Sequence, residues 1–135
     1  MKCNKDAILV VDDDRELTEI ICNCLAAELP DATFLKAYDG SEAIDVFNKH
    51  LPAVVILDLM LPKRSGFLVA ENICRQKEQS DSLVSPVVIM ITGNHGERHR
   101  QYALKMGVWK YLYKPFRIET LFELVQEAQK RGRER

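Results

Sequence analysis

The stretch "AVVILDLMLP" (residues 53–62) runs from a short apolar segment into a carboxylate, Asp58. A run this short and this rich in β-branched residues is typical of a strand covered on both faces, as in a parallel sheet. An acid at the end of such a strand is either a solvated turn residue or a chemical group held at the edge of the sheet. The rest of the chain decides between these two interpretations.

Strand patterns and helix patterns alternate on both sides of this run. Short β-branched runs predict five strands, which are 7–11, 33–37, 54–57, 87–91 and 110–113. Amphipathic periodicity predicts five helices, which are 15–29, 41–49, 66–77, 97–106 and 118–130. Strict alternation of this kind predicts an α/β doubly wound domain, in which helices cover both faces of a parallel sheet.

Local residue types predict where several helices begin and end. Asp14 is placed to cap the first helix, Gly107 to end the fourth, and Pro52 to break the second. The polar stretch 77–86 is expected to be a surface loop. The periodicity also predicts the inward faces, which are Leu17, Ile20, Ile21, Cys24, Leu25 and Leu29 on the first helix, Ala43, Ile44 and Phe47 on the second, and Ile118, Leu121, Phe122 and Val125 on the fifth.

Composition excludes several classes of protein. A chain of 135 residues with 47% hydrophobic and 29% charged residues fits one globular domain. The net charge of -1 gives no basic field that would attract nucleic acid, and no apolar run reaches the length of a membrane helix. The N-terminus lacks the pattern of a secretory signal, so we expect a cytoplasmic protein. Cys3, Cys22, Cys24 and Cys74 lack metal-binding spacing and are expected to be ordinary thiols.

Polar residues follow four of the five predicted strands. They are Asp12, Asp13 and Asp14 after the first strand, Asp58 after the third, Thr92 after the fourth and Lys114 after the fifth. Each residue alone has an ordinary explanation as a cap, a turn, a strand residue or a solvated lysine. Together they meet at one edge, because ligands of open α/β sheets bind at the carboxyl ends of the strands.

This combination of side chains predicts chemistry on a phosphoryl group. Carboxylates that converge on one edge repel one another, and a divalent cation with oxygen ligands, such as Mg²⁺, relieves the repulsion. A lysine and a hydroxyl beside the metal supply the charge and the donor that phosphoryl oxygens need. Asp58 is then the natural nucleophile, because a carboxylate attacks phosphorus to form an aspartyl phosphate.

Four motifs in this order resemble the receiver domain of bacterial response regulators, the phosphoacceptor proteins of two-component signal transduction. They are "ILVVDDD", "VVILDLMLPKRSG", "VVIMITG" and "YLYKPF". The resemblance implies a flavodoxin-like sheet of five parallel strands in the order 2-1-3-4-5, surrounded by five helices. We expect residues 1–130 to form the receiver domain and residues 131–135 to be a charged tail or the start of a linker.

The resemblance also implies a magnesium site around the phosphoacceptor Asp58. Asp12 and Asp13 correspond to the acidic pair that holds Mg²⁺, with Asp13 the more direct ligand. The main-chain carbonyl of Met60 corresponds to a further ligand. Because the Met60 side chain offers no polar group to orient water, we expect slow self-dephosphorylation.

Further positions carry switch roles by resemblance. Thr92 corresponds to the hydroxyl that moves toward the phosphoryl group, and Lys114 to the lysine that pairs with it. Tyr111 corresponds to an aromatic residue that turns inward when Thr92 moves. Pro115 is expected to follow a cis peptide bond, so that Lys114 and Pro115 form a cis pair.

The function implied is a phosphorylation-dependent signalling switch. A sensor histidine kinase, or a phosphotransfer protein of a phosphorelay, would donate the phosphoryl group to Asp58. The face formed by the fourth helix, fifth strand and fifth helix would then change shape and act on an output domain, a downstream protein or a second copy of the chain. The domain would catalyse only its own phosphorylation and dephosphorylation, without contacting membrane or nucleic acid directly.

Three other interpretations fit the motifs less well. A phosphohydrolase of the dehalogenase type needs a second aspartate two residues after the nucleophile, where this chain has Met60. The stretch "HGERH" (95–99) resembles a zinc-protease helix but has Gly96 in place of the glutamate, so we expect solvated histidines. A pseudo-receiver, which binds proteins without being phosphorylated, remains the alternative.

Overall fold

The computed structural model describes residues 4–63, 65–79 and 86–133. Five strands alternate with five helices, as predicted. The strands are β1 (Asn4–Val11), β2 (Thr33–Ala37), β3 (Pro52–Asp58), β4 (Val87–Thr92) and β5 (Lys110–Tyr113). The helices are α1 (Arg15–Glu28), α2 (Gly40–His50), α3 (Gly66–Gln79), α4 (Glu97–Met106) and α5 (Ile118–Arg133). Within the described residues, no helix is long and apolar enough to cross a membrane.

The strands form one parallel sheet in the order β2-β1-β3-β4-β5, which confirms the predicted topology. β3 lies at the centre and is buried along its whole length, as its apolar run indicated. Val11 pairs with Leu57 across β1 and β3. The residues that follow them, Asp12 and Asp58, therefore lie side by side at the carboxyl edge of the sheet.

Alternate residues of the buried strands face two separate core layers, because side chains along a strand point to opposite faces. One layer packs Leu9, Val55, Leu57 and Met90 against α2, α3 and α4. The other packs Ile8, Val10, Ile56, Ile89 and Ile91 against α1 and α5. The inward faces predicted for α2 and α5 are confirmed, since those side chains are buried or pack against these layers.

The inward face predicted for α1 was partly wrong. Ile20 is 49% exposed and Cys24 is also exposed, whereas Thr18, Cys22 and the expected Ile21 and Leu25 are buried. Successive residues turn by about 100° around a helix, so position 24 lies beside a buried stripe at positions 18, 21, 22 and 25, and position 20 lies on nearly the opposite face. Apolar residues outside the stripe had widened the predicted face and shifted its centre.

Several element ends differ from the prediction. Pro52 is the first residue of β3, and α2 ends because Leu51 adopts a left-handed conformation (φ 48°) and its N–H donates to the Phe47 carbonyl. α3 continues to Gln79, into the predicted loop, while residues 80–85 of that loop lie outside the described part of the chain. The caps expected at Asp14 and Gly107 are confirmed.

Candidate functional site

The predicted site residues are carried to one edge of the sheet by four different strands. Asp12 follows β1, Asp58 and Thr92 are the last residues of β3 and β4, and Lys114 follows β5. Asp12 and Thr92 have an exposed fraction of 0%, and Asp58 of 3%. Burying polar groups at the ends of apolar strands costs free energy unless the groups are paired. Their presence at this edge therefore marks a candidate functional site.

Three carboxylates converge there as predicted. Asp12, Asp13 and Asp58 each offer an oxygen within 4.8 Å of the others. Asp12 and Asp58 are buried, whereas Asp13 is exposed and leaves one side of the cluster open to water. Oxygen ligands with room for water suit Mg²⁺, which usually keeps several waters when bound by protein carboxylates. The donor set therefore fits the predicted cation.

The Lys114 ammonium bridges two of these acids. Its Nζ donates to Asp12 Oδ2 at 2.8 Å and to Asp58 Oδ2 at 3.2 Å. Burial lowers the pKa of Lys114, but the hydrogen bonds and charges of the two carboxylates outweigh it and the net pKa is raised. Lys114 is therefore a permanent cation at neutral pH. The Lys114–Pro115 peptide bond is cis, as expected.

The ionised form of the Asp58 carboxyl group is destabilised by its surroundings. Burial, followed by the charge of Asp12, raises its pKa to about 6, although the Met60 N–H and Lys114 both act to lower it. The Met60 N–H donates to Asp58 Oδ1 at 3.1 Å. Positive charge in addition to that of Lys114 would therefore stabilise the ionised acceptor.

This raised pKa predicts how stability varies with pH in the absence of Mg²⁺. The unfolded chain releases the Asp58 proton near pH 3.8, whereas the folded chain holds it up to about pH 6. The folded state binds more protons in that interval, so the free energy of unfolding falls as pH rises through it and then levels off. In urea unfolding with EDTA present, the free energy of unfolding of Asp58→Asn relative to wild type should rise by about 2 kcal/mol between about pH 4 and about pH 7. A gap that is constant with pH would contradict the shift.

The loop after β3 packs closely on the backbone of the acceptor. Gly66 begins α3, and a Cβ at this position would lie 2.4 Å from the carbonyl oxygen of Asp58. The Met60 side chain is 61% exposed and points away from the protein interior. The role of the Met60 carbonyl stays a prediction. Gly66 lies within one of the sequence motifs, but the motif did not predict this close contact. The contact exists only in the folded loop.

The loop after β4 is held by a short series of hydrogen bonds. Thr92 Oγ1 accepts from the Asn94 N–H at 3.0 Å, and Asn94 Oδ1 accepts from the Gly96 N–H at 2.8 Å. The His95 ring stacks on Tyr113 with centroids 4.5 Å apart. The position of the loop is thus tied both to the hydroxyl of Thr92 and to β5.

The two histidines of "HGERH" contact different aromatic rings. His95 stacks on Tyr113, whereas His99 lies 5.6 Å from Phe67 on α3. Both histidines are exposed, as expected. Within the described residues, neither belongs to a group of potential metal ligands.

Tyr111 lies on β5, and its ring makes a T-shaped contact with the Tyr113 ring, at 5.4 Å between centroids. Its hydroxyl is buried and has no hydrogen-bond partner among the described residues. Burial raises the pKa of this phenol. The ring therefore already points into the protein. The family resemblance had implied that it would turn inward only during switching.

Comparison with known proteins identifies a family that this chain matches. The family model described as "Response regulator receiver domain" matches residues 8–126. Transcriptional regulatory protein CpxR of Escherichia coli K12 is 33% identical over 125 residues, which cover 93% of this chain and 50% of that protein. The chain thus spans about half the length of the curated relatives it matches.

Solved structures agree in fold. The receiver domain of the Francisella response regulator 1452 has a TM-score of 0.81 at 26% identity, over 93% of this chain and 98% of that one. A CheY-like receiver domain from Methanospirillum hungatei has a TM-score of 0.85 at 21% identity, over 96% of this chain and 97% of that one. Its likeness shows the fold alone. Because the family model matches residues 8–126, this chain belongs to the family of response regulator receiver domains.

Proposed function

We propose that this receiver domain, residues 1–130, is a signalling switch operated by phosphorylation of Asp58. The observation that carries the proposal is the site at the carboxyl edge of the sheet. There, one buried carboxylate lies 3.2 Å from the Lys114 ammonium and within 4.8 Å of two further acids. A nucleophile, a fixed cation and a set of metal ligands are what phosphoryl transfer to a carboxylate requires.

Asp12, Asp13 and Asp58 would hold Mg²⁺ through carboxylate oxygens, together with the main-chain carbonyl of Met60. When bound, Mg²⁺ supplies charge that neutralises phosphoryl oxygens during transfer. Lys114, in the loop after β5, supplies a second positive charge. Its contacts with Asp12 and Asp58 keep it beside the reacting oxygen before any donor arrives.

The donor would be a phosphohistidine of a sensor kinase or a phosphotransfer protein. A carboxylate oxygen of Asp58 attacks phosphorus, the phosphorus–nitrogen bond breaks, and its electron pair remains on the donor imidazole. Charge on the transferring oxygens is balanced by Lys114. Hydrolysis of the aspartyl phosphate should be slow, because the exposed apolar Met60 side chain gives no group to orient an attacking water.

A groove beside the acceptor supports docking of a protein donor. α1 and the loop after β5 enclose a cavity of about 410 Å³ that Lys114 also lines. Its other lining residues are all apolar, namely Leu17, Ile20, Ile21, Pro115, Phe116 and Ile118. Because Lys114 belongs both to the groove and to the reactive site, a donor bound there would lie next to Asp58.

The response to phosphorylation would start at Thr92. An aspartyl phosphate carries about -1.5 to -2 charge where the free carboxylate carried -1, and the Thr92 hydroxyl would move to donate to it. Since the Asn94 N–H bonds to this same hydroxyl oxygen, the loop before α4 would follow. The surface formed by α4, β5 and α5 would then favour a different packing. We infer that an output domain, a downstream protein or a second copy reads this surface.

The proposal is tested by intact mass spectrometry after incubation with a small phosphodonor such as acetyl phosphate. With Mg²⁺ present, the expected product carries one added phosphoryl group. With EDTA in place of Mg²⁺, the unmodified mass should persist. If the Mg²⁺ sample also stays unmodified while a competent receiver control is phosphorylated, the domain acts as a pseudo-receiver and the proposal fails.

A further inference from the structure

Thr18, in the first turn of α1, is a polar side chain that is fully buried beside the acidic loop after β1. Its exposed fraction is 0%. Its Oγ1 lies 3.3 Å from the carbonyl oxygen of Asp12 and 3.0 Å from that of Asp14. A hydroxyl has one donor proton, which it gives to one of these carbonyls or shares between them. Thr18 therefore ties α1 to both ends of the loop that contains Asp13.

Only the shorter of these two contacts is an ordinary feature of helices. Threonine hydroxyls commonly bond to the carbonyl four residues earlier, which here is Asp14. The contact with Asp12 spans six residues and reaches outside α1 to the end of β1. It is tertiary, so helix formation alone does not account for it.

Asp12 and Asp13 depend on this loop to different degrees. The Asp12 carboxylate accepts from the Asp14 N–H at 3.0 Å and from Lys114 at 2.8 Å. The Asp13 carboxylate has no hydrogen bond or ion pair with any residue in 4–63, 65–79 or 86–133. The direction of the Asp13 side chain is therefore set mainly by the backbone of residues 12–14, and Thr18 holds that backbone at both ends.

We propose that Thr18 is a positioning residue for the metal site. By holding the carbonyls of Asp12 and Asp14, its hydroxyl keeps the Asp13 carboxylate facing the other two acids of the cluster. The inference rests on the proposed function, which assigns those acids to Mg²⁺. Removing a group that orients a metal ligand without binding the metal itself typically lowers metal affinity by about 10-fold to 100-fold.

The test is isothermal titration calorimetry of MgCl₂ into the whole chain. Thr18→Val keeps the shape of the side chain and removes the hydroxyl, so Mg²⁺ should bind about tenfold more weakly. Thr18→Ser keeps the hydroxyl and should stay within about twofold of wild type. Thr120→Val, at an exposed threonine of α5, is the matched control and should bind Mg²⁺ like wild type.

A second variant and a second readout separate positioning from folding. Thr18→Ala removes the hydroxyl without adding an apolar branch, so it keeps the test available if the valine does not fold. For either variant, phosphorylation by acetyl phosphate should need about tenfold more Mg²⁺ for half its maximal rate. The rate at saturating Mg²⁺ should return to near the wild-type value.

The outcomes distinguish this inference from the proposed function. Wild-type affinity in folded Thr18→Val and Thr18→Ala would overturn the inference and leave the proposed function intact. Equal weakening in Thr18→Ser would also overturn it, because the hydroxyl would then not be the cause. Absence of Mg²⁺ binding by wild type would overturn both.

Discussion

Replacing Asp58 by asparagine is expected to abolish phosphorylation by acetyl phosphate. The amide is nearly isosteric with the carboxylate but lacks a nucleophilic oxygen that carries charge, and it is a weaker ligand for Mg²⁺. In intact mass spectra, wild type should gain one phosphoryl group and Asp58→Asn should gain none. The same variant should be more stable than wild type at neutral pH without Mg²⁺, because it removes a buried charge that Asp12 repels.

This pairing of lost activity with gained stability separates a chemical role from a structural one. Asp39→Asn is the matched control. Asp39 caps α2 through the Glu42 N–H at 2.8 Å, and asparagine is an equally good cap. It should therefore be phosphorylated like wild type. If Asp58→Asn were phosphorylated at the wild-type rate, the acceptor would be a different residue.

Gly66→Ala is expected to destabilise the domain by about 3 kcal/mol or more, at the upper end of what overpacking produces. The added Cβ would lie 2.4 Å from the Asp58 carbonyl oxygen and 2.6 Å from the Leu59 Cα. Both are backbone atoms at the end of a buried central strand, so neither can move without disturbing the sheet. Urea unfolding monitored by circular dichroism measures the loss.

Gly93→Ala is the matched control, since a Cβ at Gly93 would have no heavy atom of the described residues within 4 Å, apart from Gly93 itself and its two chain neighbours. Its free energy of unfolding should stay within about 0.5 kcal/mol of wild type. Gly66→Ala should also be phosphorylated more slowly, because any relaxation shifts the backbone that carries Asp58. A Gly66→Ala stability equal to that of Gly93→Ala would mean that the loop after β3 does not pack as described.

Much of the fold was predictable because its patterns are local. The buried run 53–57, the β-branched strands and the amphipathic helices each express a period set by backbone geometry. Their alternation leaves a parallel doubly wound sheet as the natural arrangement. The same rule placed Asp12, Asp58, Thr92 and Lys114 at one edge, and the structure brings Lys114 within hydrogen-bond distance of both acids.

The errors arose where local periodicity does not determine a neighbour. Ile20 is as apolar as Ile21, yet the sheet beneath α1 covers only the second. Pro52 was expected to end a helix, but Leu51 ends it and the proline opens β3. The first error reflects contacts with elements distant in sequence, whereas the second reflects a local contact, the bond from the Leu51 N–H to the Phe47 carbonyl.

The sequence alone thus determined the class of fold, the edge at which chemistry occurs and the residue types available there. Tertiary structure decided the rest, because it brings together groups as distant as Asp12 and Lys114, which are 102 residues apart. Tertiary structure raised the pKa of Asp58 through burial and through the charge of Asp12. It also left no room for a side chain at Gly66 and placed the Thr18 hydroxyl between two carbonyls. Burial, close contact and charge–charge distance are properties of the packed molecule, so a pattern along the chain cannot contain them.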